Sequence, residues 1–363
     1  MDLRNLPVQD PKPSAEDLVA QIRGERVLDR VPLIEYIVDP VVMRPIVTEL
    51  LGREWVDPGP EAASWEAYLD NLVAMWHRLG YDIVRLEVGL PFSRKSVTGD
   101  DPTMAAGQRV WWDEHEGTIT SWEQLETYPW PDVSEASFWV LERICERLPE
   151  GMGFVTCHGG GPYEHLSSLL SYEQLSYLLV DDPPLVKAIC ENIGKRIVAF
   201  YERILELPGL VMVLQGDDMG FRTGTLISPD HLRELILPWH EKMAAMAHAK
   251  GLPYCLHSCG EISKIMPDLI EGVSIDGKHS FEDAILPIEK AHERWGGDIA
   301  LLGGVDVDLL TRGSTDDVRK RVRKIVEACA PKGRFALGSG NSIASYVPAE
   351  NYLAMLDEGL AMG

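Results

Sequence analysis

Two residues with chemistry in them stand two apart at the end of an apolar run, His257 and Cys259 in Tyr254-Cys255-Leu256-His257-Ser258-Cys259-Gly260. If Pro253 to Cys259 is a strand, both side chains fall on the same side, because strand side chains alternate with period two. A neutral imidazole beside a thiolate is half of a tetrahedral zinc site. Gly260 lets the chain turn sharply straight afterwards. Cys255 shares that face one layer deeper and reads as a core thiol or a third ligand. Against this stands a plainer reading, since a buried free cysteine is common and inert. The pair gains weight from its company.

Other apolar runs also end in polar groups. Glu35 closes one and Glu87 another. A third ends in Cys157-His158 before Gly159, Gly160 and Gly161. Further on come Gln215-Gly216-Asp217-Asp218, then His279, then Gly303-Gly304-Val305-Asp306, and last Gly338-Ser339-Gly340-Asn341. Polar groups buried unpaired are costly, so strand ends of this kind read as a site. Each has a structural alternative. Asp217-Asp218 suits a turn or a helix cap, or two carboxylates that raise each other's pKa and bind a metal or a cation. Glu35 and Glu87 could pair with Arg85. Of Cys157 and His158, at most one faces inward. His231, His240 and His248 fall on a helix and read as surface or packing residues.

Eight elements of strand character must carry these ends: Val31 to Tyr36, Tyr81 to Glu87, Gly153 to His158, Leu210 to Asp217, Pro253 to Cys259, Val273 to Lys278, Asp298 to Asp306 and Arg334 to Gly340. Helix-period segments lie between them. The clearest are Glu61 to Leu79, Leu185 to Leu205, Pro229 to Lys250, Ile262 to Ile270, Asp283 to Trp295, Thr315 to Ala330 and Pro348 to Leu360. Eight strands alternating with helices predict an α/β chain folded as a (β/α)8 barrel, whose active site lies at the C-terminal strand ends. Residues 1–25 form a lead-in with a short helix from Ser14, and residues 26–363 form a single barrel domain. The stretch 89–131, rich in Gly, Pro and Trp, is an insertion after the second strand and would pack as a lid over the mouth.

Composition narrows the function. The net charge of -23 excludes nucleic acid and an anionic membrane surface as partners, both of which need basic protein surface. The N-terminus lacks the apolar core of a signal peptide, and no stretch approaches the ~20 apolar residues of a membrane span. Six cysteines without a paired framework suit a reducing cytoplasm.

Several segments together carry a resemblance. They are Arg30-Val31-Pro32-Leu33-Ile34-Glu35, Gly80 to Glu87, Gly160-Gly161-Pro162-Tyr163-Glu164, Gly216-Asp217-Asp218-Met219-Gly220, Leu226-Ile227-Ser228-Pro229, His257-Ser258-Cys259-Gly260, Gly303 to Asp306 and Pro348-Ala349-Glu350-Asn351. The chain resembles the uroporphyrinogen decarboxylase superfamily, which also contains zinc-dependent, cobalamin-linked methyltransferases. The resemblance implies a (β/α)8 barrel, often dimeric. No arginine-rich motif of the true decarboxylases stands near the first strand, where Leu33-Ile34-Glu35-Tyr36 is found. Glu87 matches their acidic residue after the second strand. The methyltransferase branch binds zinc through His-x-Cys and a later cysteine. His257 and Cys259 match the first two, and Ser339 stands at the third, leaving Asp218, Glu87 or Glu35 as substitutes.

The resemblance therefore implies methyl transfer between a small methylated compound or thiol and a corrinoid, with a separate corrinoid protein or free cobalamin as partner. His257 and Cys259 would hold zinc. Glu87, Asp217 and Asp218 would be catalytic. Glu35, His158, Tyr163, His279, Asp306, Ser339 and Asn341 would line the substrate site. The alternatives are a metal-independent decarboxylase of a tetrapyrrole or other acid, and a non-catalytic corrinoid or small-ligand binder.

Overall fold

The computed structural model describes residues 3–100, 108–112 and 115–362. Seven parallel strands form one curled sheet in chain order: β1 (Ile83–Arg85), β2 (Gly153–Thr156), β3 (Leu210–Gly216), β4 (Tyr254–His257), β5 (Gly277–His279), β6 (Ala300–Val305) and β7 (Phe335–Ser339). Helices return the chain between them and cover the outer face, while the curl of the sheet buries the inner face. This is why the strands are near-continuous apolar runs, such as Leu-Val-Met-Val-Leu in β3, rather than alternating ones. The architecture is that of a TIM-like barrel.

The first expected strand, Val31 to Tyr36, is corrected. It lies along β7 but makes a single bridge there, Leu33 to Leu337, with a second bridge further on from Val38 to Ile343. Ile34 N–H donates to the Leu337 carbonyl at 2.8 Å, and Leu337 N–H to the Pro32 carbonyl at 2.8 Å. Pro32 has no N–H to extend the ladder. Towards β1 the Tyr36 carbonyl accepts from the Arg85 side chain, at 2.6 Å, instead of from main chain.

Prolines explain most other departures. The helix expected from Pro229 to Lys250 forms over Pro229–Ala249 with a wider turn inside it over Leu232–Ile236. Pro238 removes a donor there, and the chain widens by one residue to pass it. The helix expected from Asp283 starts only at Ile288, because Pro287 bars the α conformation from the residue before it. The helix expected at Ile262 to Ile270 becomes a wide turn over Asp268–Val273. It is ended by Ser274 in the left-handed region (φ 63), so the sixth strand begins at Gly277 and not Val273.

The expected N-terminal helix forms over Ala15–Ile22, capped by Ser14 Oγ. Gln21 Nε2 donates to the Phe335 carbonyl at 3.0 Å and so ties this segment to β7. Within 89–131, Ser96–Asp100 and Gln108–Trp112 pair as an antiparallel hairpin. Residues 101–107 and 113–114 of the expected insertion lie outside the described residues. Trp130 packs edge-on against Phe92 and Tyr128 under the Arg196 guanidinium. No helix among the described residues is long and apolar enough to cross a membrane.

Candidate metal centre

Strand β4 delivers His257, and the turn after it delivers Cys259. His257 Nε2 lies 3.5 Å from Cys259 Sγ and 3.6 Å from Asp218 Oδ1. The three ligand atoms all fall within 4.8 Å of one another, a group that could hold a metal ion. Asp218 Oδ1 also accepts the Cys259 N–H at 2.8 Å, which fixes the carboxylate to the turn. Gly260 (φ 78) makes that turn, and a Cβ on it would lie 2.3 Å from the Gly220 main chain. The two loops are therefore in backbone contact, and no side chain fits between them.

The ligands are oriented from behind. His257 Nδ1 meets His279 Nδ1 across the β4–β5 pair at 2.7 Å, so one proton is shared between them. Nε2 is then the free edge of His257. The ring is clamped on Tyr36, with centroids 3.8 Å apart and planes 14° off parallel. Arg85 stacks on Tyr36 as well, 3.8 Å from its centroid. Burial first, then His279, Arg85 and Lys278, hold the His257 pKa well below the usual range. The same burial and the two cations bring His279 to about 3. Both imidazoles are neutral, as metal ligation requires.

Cys259 Sγ accepts from Asn341 Nδ2 at 3.1 Å and from Ser280 Oγ at 3.4 Å. Burial and the Asp218 charge keep the thiol protonated while no metal is bound. Burial and the neighbouring Asp217 raise Asp218. Its side chain is 40 % exposed, so solvent screens part of that push and the carboxylate faces the mouth.

A second cluster lines the same wall. Glu87 receives Arg85 at 2.5 Å, the Tyr36 hydroxyl at 3.3 Å and Cys157 Sγ at 3.4 Å. Burial would raise its pKa, but Arg85 and these bonds outweigh it and the net shift is downward. Glu164 had no part in the sequence-based assignment. It folds back onto the Gly161 N–H at 3.1 Å. Burial, then Asp217, Asp218 and Glu87, raise it well above the carboxylate range.

Other candidates take structural places. Asp217 points away from Asp218. It accepts the Tyr163 and Glu164 N–H groups at 3.1 and 2.9 Å and bonds His240 at 2.8 Å. It thus caps the helix Pro162–Leu170. Tyr163 is buried on that helix. His158 is closed on both nitrogens, by the Leu90 N–H and by the Gly160 carbonyl, with its pKa lowered by burial to about 4. Cys157 is the member of that pair turned to Arg85 and Glu87. Asp306 caps Val307–Arg312 through the Asp308 N–H. Ser339 donates to Glu35 at 2.6 Å. Glu35 is sealed with Tyr352 of the C-terminal helix nearby, and burial raises it to about 7. Neither reaches the three ligands. Cys255 is a core thiol against Met212.

The uroporphyrinogen decarboxylase (URO-D) family model matches residues 73–359. A methyltransferase from Methanosarcina mazei has a similar structure, at TM-score 0.69 and 21% identity, with 96% of this chain and 98% of that one covered. An intracellular xylanase from Thermoanaerobacterium saccharolyticum, TsXylA, aligns over 93% of this chain and 90% of its own at 12% identity and TM-score 0.38, too slight to bear on this chain. A search of curated protein sequences gave no match.

Proposed function

The chain belongs to the uroporphyrinogen decarboxylase family, and from that premise we propose that it is a zinc-dependent methyltransferase. It moves a methyl group between a small methylated compound or thiol and a corrinoid. The observation that carries this reading is the convergence of His257 Nε2, Cys259 Sγ and Asp218 Oδ1 within 4.8 Å. Three protein donors of N, S and O type with an open side suit catalytic zinc. The donors fit the metal: the imidazole is neutral, its ligand edge is set by His279, and the thiol has the carboxylate of Asp218 beside it. Bound zinc would supply Lewis acidity, lowering the pKa of a thiol or polarising the heteroatom that carries the methyl group.

The protein's own share is positional. His279 and Tyr36 hold the imidazole plane. Asp218 takes the third place, in the role that the resemblance gives to a cysteine, and Ser339 does not. Asn341 braces the sulfur. Glu87 is held ionised by Arg85, and an ionised Glu87 is no proton donor for the rival metal-free decarboxylation. The corrinoid would come from a separate protein or as free cobalamin, and the chain would act as a cytoplasmic homodimer. Segment 32–38 would serve as an eighth stave of a single barrel domain, with 89–131 as its lid.

The test is metal content by elemental mass spectrometry of parent, His257→Ala and Cys259→Ala proteins. About one zinc per chain in the parent, lost in both variants, is expected. A parent that stays metal-free after zinc is supplied overturns the reading.

A further inference from the structure

Ser280 is a buried non-glycine residue in the left-handed region, with φ 83. Side chains rarely adopt that conformation, and residues held in it collect where function requires them. Its hydroxyl is one of two donors on Cys259 Sγ. Its carbonyl is the main acceptor for Lys278. The Lys278 ammonium is buried and donates to the carbonyls of Ser280 at 2.5 Å and of Ser258 and His279 at 3.3 Å each. Ser258 lies between the two metal-ligand candidates of the β4 turn, and Ser280 follows the residue that orients His257. One cation thus ties the two strand ends together at their carbonyls.

We propose that Lys278 and Ser280 are positioning residues for the sulfur ligand. Lys278 pins the Ser280 carbonyl. The pinned backbone stays left-handed, and from there the hydroxyl reaches Cys259 Sγ beside the Asn341 amide. Two donors on one sulfur draw charge from it and fix its direction towards His257 Nε2 and Asp218. Hydrogen bonds to a ligating sulfur weaken its donation and so leave the metal a stronger Lewis acid. This inference rests on the metal reading above, but its first measurement needs no metal.

Full-length parent, Ser280→Ala, Ser280→Gly and Asn341→Ala proteins are compared by thermal melting without metal and by absorption spectroscopy with cobalt(II) bound. Glycine accepts a positive φ and alanine does not, so Ser280→Gly should melt roughly 1–3 °C above Ser280→Ala. With cobalt(II) bound, the sulfur-to-metal charge-transfer band should move to longer wavelength in all three, and affinity should fall about tenfold or more. Lys278→Met should reproduce the band shift. Should it fail to fold, the serine pair still decides. A charge-transfer band left in place by Ser280→Ala and Asn341→Ala, or an alanine variant as stable as the glycine variant, overturns the proposal. A parent that takes up no metal sinks the zinc reading and leaves the melting outcome to judge this one.

Discussion

The barrel side and the helix side of the sheet end in the same kinds of residue and use them oppositely. On the helix side, Glu35 is closed by Ser339 and the Tyr36 N–H, Asp217 by His240 and two helix amides, and His158 on both nitrogens. On the barrel side, His257 keeps a free Nε2, Cys259 offers its sulfur, and Asp218 faces the mouth. A polar group that its neighbours satisfy holds a fold together, while convergent groups left with spare capacity make a site.

The sharpest contrast is between the adjacent carboxylates. Asp217→Ala leaves His240 and a helix start unpaired in the interior. It should cost about 3–5 kcal/mol in urea unfolding, with zinc stoichiometry unchanged in the folded fraction. Loss of zinc with full stability would erase the distinction.

Glu35 offers the next largest effect. Its pKa is raised from 4.5 to about 7, so the folded protein holds that proton more tightly than the unfolded chain. The stability it contributes is whole below pH 4.5 and drains as pH rises to about 7. The loss is roughly 2–3 kcal/mol over that window, and none follows above it. Glu35→Gln should flatten this slope in denaturation curves taken across the window. An unchanged slope would mean that Glu35 is not the sealed acid described here.

Asp218→Ala should leave stability nearly intact and lower zinc affinity about ten- to a hundredfold, ~1.4–2.8 kcal/mol, in a chelator competition. An unchanged affinity would leave the metal only His257 and Cys259 from this cluster. Smallest of all, Ser339→Cys should change zinc affinity by less than about threefold, since that side chain faces Glu35. A large gain would show that β7 can turn this position towards the metal.

Much of this was legible in the sequence. Seven of the eight expected strands formed, because a long apolar run bounded by turn residues has few other ways to bury itself. The His257–Cys259 pair was legible from its place at the end of an apolar run among other polar strand ends, although the strand stops at His257 and the turn carries Cys259. The first expected strand failed on Pro32, and the sixth began late on the left-handed Ser274. Strand parity showed that neighbours such as Cys157 and His158 must part, but not which would turn inward. For Asp217 and Asp218 that depends on His240, far along the chain. Tyr36, Ser280 and Lys278 were passed over. Parity could have suggested Tyr36, as the neighbour of Glu35, but nothing local marks a serine that will take a positive φ.

The contact between Gly220 and Gly260 has a consequence for how such a protein can change over generations. Neither residue can gain a side chain without moving the other's main chain. The turn that carries Cys259 and the short hairpin after Asp218, Gly220–Phe221 paired with Gly224–Thr225, therefore form a single heritable block, in which one substitution requires a second. New specificity must then arise on the freer rim, around Ile37, Val41 and Tyr346, whose side chains stand in solvent and can be exchanged one at a time.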